Sequence, residues 1–281
     1  MLQYGFAKTV RIAERLGAGR VPGAAAVFRL LHQRINRGGL RLVDVQGFKM
    51  YVDPRDSVVA SHLIANGVWE PEETRLFRER VWRDAVVIDV GANIGYYSLL
   101  AAQAGATVYA FEPEPHNFDL LQRNVALNGF EVRAFQVGAA DKRGTMPLFV
   151  DIANAGAHSL VQGAVPHRGH RLDVELVPLD DLAIDTERLV IKMDVQGAEG
   201  LVCQGARRLL SRPCDTTIFM EFWPEALAQS GVNPVEHLRW FEDAGYTIQV
   251  IGGEQVTALQ ALAACQGHDT FSRYVNLLLH H

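Results

Sequence analysis

The 281-residue chain lacks a cysteine pattern: Cys203, Cys214 and Cys265 are odd in number and show no paired ligand spacing, which excludes a disulfide framework and a thiolate zinc site. A reducing, cytoplasmic setting is the matching expectation. Also missing is any apolar run near the roughly 18 residues that cross a bilayer. The first 31 residues show no convincing apolar core with a cleavage site, so no secretory leader is expected. Internal repeats and low-complexity tracts are absent. Basic charge is scarce beyond the start of the chain. Residues 1–41 hold eight Lys/Arg against the single acid Glu14, a charge of +7, which leaves −12 of the net −5 on the remainder. An acidic body of that size argues against a nucleic-acid groove.

What remains is a globular composition, 48% hydrophobic and 21% charged, enough for one large domain with an appendage. The most informative stretch is Val86–Gly95, in which an apolar strand ending at Asp89 enters a turn spelled Gly91, Asn93, Gly95 and then a helix over Tyr96–Gln103. Glycine permits positive φ and close backbone approach, and asparagine tolerates left-handed geometry, so Asn93 can stand where glycine is more usual. The pattern lacks the third glycine of a dinucleotide fingerprint, so no pyrophosphate cradle is evident. Glu112 follows Gly91 by 21 residues, at the end of the strand Thr107–Phe111. That spacing suits a carboxylate receiving the diol of a ribose. S-adenosylmethionine fits a tight turn plus a diol-binding acid.

Several further motifs carry a resemblance. Asp89–Gly95, the run Phe111–Pro115, Asn124 with Asn128–Gly129, Asn154 with His158–Ser159, and Ile191–Glu199 together resemble the FkbM-type S-adenosylmethionine-dependent methyltransferases, over about residues 47–279. The resemblance implies an O-methyltransferase acting on a sugar, glycolipid or polyketide-like hydroxyl. It also implies a Rossmann-like class I fold, a doubly wound and mostly parallel seven-stranded sheet. Residues 1–80 read as an N-terminal helical and hairpin appendage, and 81–281 as the cofactor-binding domain.

Within that frame, short strands are expected at Ala85–Asp89, Thr107–Phe111, Val132–Val137, Leu189–Met193, Thr216–Glu221, Thr247–Ile251 and Tyr274–Leu279, with a hairpin over Leu40–Val52 and a helix from Pro71 to about Val81. The stretch 142–188 is too long for a simple crossover and should hold its own strands, Met146–Val150 and Leu172–Val177, as a β-rich cap over the acceptor or a sheet extension. Residues 4–17 form an amphipathic pattern with Lys8, Arg11 and Arg15 on one face, suiting either peripheral membrane contact or packing on the chain itself or on a second copy in a homodimer.

The cofactor candidates are Asp89, Gly91, Asn93, Gly95 and Glu112, with Gly138 and Ala139 lining the adenine; by resemblance alone, Glu70 reaches the methionine amino group. Three residues stand out for chemistry. Asp194, at the end of the fourth strand, is either the catalytic carboxylate or the cap of a helix starting near Gly197. His158 titrates near neutrality and is a base candidate in the inserted segment. Glu221 could pair with Asp194 or bind a sugar hydroxyl, beside Trp223 as a flat platform. Asp194, Glu221 and His158 could hold a divalent metal, although no diagnostic spacing supports one. Two other readings compete: a nicotinamide-dependent oxidoreductase or epimerase, and a non-catalytic membrane-associated nucleotide-binding module.

Overall fold

The computed structural model describes residues 39–151, 154–165, 169–266 and 273–281. The expected helix at 4–17 lies outside them. Strands β1 (Arg41–Val45) and β2 (Phe48–Val52) form the expected hairpin. Its turn residues Gln46 and Gly47 both hold positive φ, 49° and 93°, the mirror-image turn whose twist matches that of two antiparallel strands. Helices Val59–Asn66 and Pro71–Arg80 follow, the second opened by a proline that needs no hydrogen-bond partner there.

The main sheet comprises β3 (Val86–Val90), β4 (Thr107–Phe111), β5 (Val132–Phe135), β9 (Arg188–Met193), β10 (Asp215–Phe222), β11 (Thr247–Val250) and β12 (Val275–His280). Across it the order is β11-β12-β10-β9-β3-β4-β5, and every strand is parallel except β12, which runs against both neighbours. The chain steps outward one way from β3 and the other way from β9. That reversal leaves a crevice beyond the carboxyl ends of β3 and β9, where open α/β sheets bind ligands.

Both faces of the sheet are buried, which is why its strands read as nearly continuous apolar runs. On one face Val87, Val190, Phe219 and Leu278 pack with Val45, Met50 and Val52 of the hairpin and with Phe77. On the other, Ile88, Ile191, Ile218 and Leu277 meet Leu238, Phe241 and Ala261 from the later helices. The hairpin is held by helix Pro115–Asn128 as well. Asn124 and Asn128, one turn apart, present their amides to the backbone of Tyr51 and Lys49, two residues apart on β2. Each asparagine both donates and accepts, so the pair substitutes for a neighbouring strand.

The inserted segment folds as a second sheet, β6 (Gly138–Ala139), β8 (His170–Val177) and β7 (Gly144–Val150), in that order. β5 stops at Phe135, short of the expected Val137, because Gly138 and Ala139 leave the main sheet to pair with Leu176 and Val177. A side chain at Gly138 would sit 2.7 Å from Leu176 Cδ2, so anything larger than glycine at the crossing point would make the leucine shift. Among the described residues, no helix is long and apolar enough to cross a membrane.

His237, on helix Pro234–Asp243, is buried against Phe241, and its Nε2 has no partner. Desolvation, reinforced by Arg207, pulls its pKa down to about 4. The unfolded chain binds this proton near pH 6.5 and the folded chain only near 4, so stability falls as pH drops through that window, by up to about 3 kcal/mol. His237→Leu should flatten this part of the acid limb in urea denaturation measured between pH 7 and 4.

Candidate active site

The turn after β3 is built on left-handed backbone: Gly91, Asn93 and Gly95 have φ of 79°, 51° and 94°. Asn93 therefore takes the glycine-like conformation expected of it. A Cβ on Gly91 would lie 2.1 Å from the Asp194 carbonyl, and one on Gly95 would lie 2.5 Å from Leu121 Cδ1. Gly91 is thus required by its contact with backbone, and Gly95 by its left-handed conformation. The closeness of Gly91 to Asp194 is what brings the ends of β3 and β9 together, helped by the Asp194 amide donating to Val90 O.

Every amide of this turn is spoken for. Those of Gly91 and Ala92 donate to Phe111 O, that of Gly95 to Ala92 O, and that of Ile94 to Asn93 Oδ1. The Asn93 amide donates to Glu112 Oε2 at 2.8 Å, while Glu112 Oε1 accepts from the Glu114 amide at 2.8 Å. Glu112 is buried at the end of β4, and desolvation raises its pKa to about 8 against the pull of the two amides. A carboxylate offers about four lone-pair directions, so two remain for an incoming diol.

One cleft gathers much of the expected site. Gly91, Asn93, Glu112, Gly138, Ala139, His158 and Asp194 all line it, along with Phe111, Pro113, Asn117 and Leu148. The segment Asn154–Ser159 closes it on one side. Asn93 Nδ2 and Asn117 Nδ2 both donate to Ala155 O, at 2.7 and 3.1 Å, and Ser159 Oγ donates to Gln196 O at 2.7 Å. The His158 ring is mostly buried there, its Nδ1 accepting from the Asp151 amide at 3.2 Å, and desolvation lowers its pKa.

Other candidates stand elsewhere. Asp89 does not line the cleft: it is buried, accepts from Ser98 Oγ at 2.6 Å, and has its pKa raised to about 6 by desolvation. Gly95 packs behind the turn. Glu70, in left-handed backbone with φ 42°, accepts from Tyr97 Oη at 3.0 Å and from Asn276 Nδ2 at 3.0 Å. Trp223 does not line the cleft, and its Nε1 is buried without a partner.

Asp194 is not a helix cap. The helix begins only at Glu199, whose own buried carboxylate accepts from the amides of Val195 and Gly197 and so organises the turn. Asp194 is left 27% exposed, with Oδ1 accepting from Gln196 Nε2 at 2.7 Å. The same Gln196 amide donates to Glu221 Oε2 at 3.0 Å, so the two acids do form a pair, bridged by an amide that the sequence analysis passed over. Burial, with Asp194 and Glu199 nearby, drives Glu221 well above its usual pKa. Among the described residues no group of three or more His, Cys, Asp or Glu could hold a metal ion.

A cationic centre was also missed. Lys192, on the central strand β9 and only 2% exposed, places Nζ 2.6 Å from Glu73 Oε1, 3.8 Å from Asp194 Oδ2 and 3.9 Å from Glu70 Oε2, and 5.0 Å from the centre of the Tyr97 ring. These acids hold the lysine charged despite its burial. Asn276 of β12 donates to Glu73 as well as to Glu70.

Comparison with known proteins places this arrangement. The methyltransferase sdnD of Sordaria araneosa is 34% identical over 153 residues, 42% of this chain and 59% of that protein. The hexuronic acid methyltransferase AglP of Haloferax volcanii is 30% identical over 146 residues, 50% of this chain and 58% of the other. The 31-O-demethyl-FK506 methyltransferase FkbM of Streptomyces tacrolimicus is 30% identical over 140 residues, 44% of this chain and 54% of that one. The chain thus spans a little over half the length of each. The profile of the methyltransferase FkbM domain matches residues 89–248, from the acid that ends the apolar run of β3 into β11 and across the whole cleft. By that match, which covers more than half of its length, the chain belongs to the FkbM methyltransferase family.

Proposed function

We propose that the protein is an S-adenosylmethionine-dependent O-methyltransferase whose acceptor is a hydroxyl of a sugar, glycolipid or polyketide-like metabolite. The observation that carries the cofactor choice is the closed set of amides at the glycine turn. A pyrophosphate needs free N–H groups at this position, and here all five are used within the protein, one of them by Glu112. Glu112, once ionised, can also accept from both hydroxyls of a ribose. The residues therefore suit an adenosine attached to a cation and do not suit a dinucleotide.

When bound, the cofactor supplies a methyl group on a sulfonium, already activated for in-line displacement. The protein then has to align one hydroxyl, exclude competing water and take one proton. We assign the last task to Asp194. It lies on the same cleft as Glu112, is partly open to it, and keeps Oδ2 free of hydrogen bonds among the described residues while Gln196 holds Oδ1. The acceptors named for two of the relatives, a hexuronic acid and a demethylated FK506, support oxygen as the atom methylated.

Calorimetry with S-adenosylhomocysteine and with NAD tests the cofactor: micromolar binding of the first and none of the second is expected, and the reverse would refute the reading. Transfer of labelled methyl from S-adenosylmethionine to methyl hexopyranosides and to fractionated extract tests the reaction. Asp194→Asn should lower turnover about 10²–10⁴-fold, the range for loss of a general base, with cofactor affinity nearly intact. Equal loss of both would make Asp194 a cofactor ligand.

A further inference from the structure

We propose that His158 serves as a hydrogen-bond donor to the acceptor through Nε2–H, so that the acceptor carries a second oxygen besides the methylated hydroxyl, as in a polyol or a hydroxy acid. This deepens the reading of the cleft as a methyl-transfer site and rests on it for the identity of the acceptor. The assignment begins with the ring's other nitrogen. Nδ1 accepts a hydrogen bond from the Asp151 amide at 3.2 Å, so its lone pair faces protein backbone and cannot also carry the proton of a neutral ring. A neutral imidazole has one N–H, which therefore lies on Nε2. The charged groups that act on the ring are Glu114, Asp151, His170 and His116, and they work in opposite senses, while burial favours the neutral form.

The ring lines the cleft, and among the described residues no protein group bonds Nε2. What it offers to an occupant is a donor, and a donor cannot remove a proton. Asp194, on the same cleft, offers the opposite: an acceptor oxygen with capacity to spare. The two roles separate on chemical grounds. In the transfer, a lone pair of the hydroxyl oxygen forms the new bond to carbon, the carbon–sulfur pair stays with sulfur, and the hydroxyl proton goes to the Asp194 carboxylate. A donor on the reacting oxygen would hold back the lone pair that attacks. The His158 N–H does no harm, and fixes orientation, only on an oxygen other than the reacting one. Hence that second oxygen is a specificity element.

Long-range proton–nitrogen spectra of the ¹⁵N-labelled full chain, with the ring assigned by comparison with His158→Gln, test the tautomer without any turnover. Protonated Nε2 beside a bare Nδ1 is expected, and a proton on Nδ1 or exchange between the two would overturn the proposal even if methyl transfer is confirmed. His158→Gln and His158→Ala, each checked for unchanged S-adenosylhomocysteine binding, test the role. Glutamine can supply an N–H near the same point but cannot act as a base. It should stay within a few-fold of the native kcat/KM for the best methyl hexopyranoside, whereas alanine should raise the acceptor KM about tenfold, the value of one hydrogen bond near 1.4 kcal/mol. In a series of deoxy analogues, the one lacking the second hydroxyl should lose that tenfold against native protein and nothing further against His158→Ala, and a series without such an analogue would overturn the proposal. A drop in kcat of a hundredfold or more in both variants would make His158 the base and sink the proposal.

Discussion

Replacing Lys192 with methionine should destabilise the protein by about 3–5 kcal/mol, the range for removing one partner of a buried ion pair. Lys192 and Glu73 are each 2% exposed and 2.6 Å apart, so water cannot take the place of the lost ammonium. Glu73 would be left with Asn276 as its hydrogen-bond donor and would escape the penalty in part by taking up a proton. That escape sets the lower end of the range. The double variant Lys192→Met, Glu73→Gln should recover most of the loss, because an amide leaves no charge behind. Urea denaturation of the two variants at pH 7 measures the difference; equal destabilisation of single and double variants would show that the ion pair is not the origin. Asp194 and Glu70 also lose their nearest cation, so the single variant should be impaired in catalysis even at temperatures where it remains folded.

Glu112→Ala should weaken S-adenosylhomocysteine binding about 30- to 150-fold, equivalent to roughly 2–3 kcal/mol for hydrogen bonds to a charged group. The mutation also strands the Asn93 and Glu114 amides, so the turn itself loosens. Glutamine separates the two effects, since it keeps an acceptor but no charge. The native protein should show a pH signature that Glu112→Gln lacks. With the free carboxyl near pKa 8, most molecules are protonated at pH 7, and a diol binds best to the ionised form. Affinity should therefore rise from pH 6.5 toward 8 and level off above it, with proton release on binding below that point. Calorimetry in buffers of different ionisation enthalpy reads the proton count directly. A flat profile would remove Glu112 from the binding step.

The sheet and the glycine turn were legible because both are local. Asn93 and Glu112 declare themselves by spacing within about 25 residues, and the seven strands by apolar runs between helical stretches. The Lys192 centre was not, since it joins β9 to residues of helix Pro71–Arg80 and to Asn276, 203 positions beyond Glu73. A signal existed even so. A lysine inside Arg188–Met193, a strand buried on both faces, demands a buried acid, and Glu73 shares its helix face with Phe77, one turn later. Gln196 escaped for a different reason. Its side chain matters only once left-handed backbone, φ 51°, turns it between Asp194 and Glu221. The inward turn of Asp89 was not legible because a strand-end acid can face either the crevice or the helix that follows, and Ser98 supplies the hydroxyl that draws it inward.

The position of β12 also bears on how the molecule is made. It leaves the ribosome after β11 yet lies between β11 and β10, and among the described residues β12 is the one strand of the sheet that pairs with β11. During synthesis the edge of β11 that will face β12 must therefore wait beside a nearly finished domain, open to any extended segment nearby, while Glu254–Val256 already bonds the other edge. The same late strand delivers Asn276 to the acids around Lys192, so a nascent chain halted before residue 275 would hold a glycine turn and Glu112 but lack the amide that joins Glu70 to Glu73. Docking across so many residues is slow to nucleate, which makes the interval between β11 and β12 the time at which a chaperone would have most to protect.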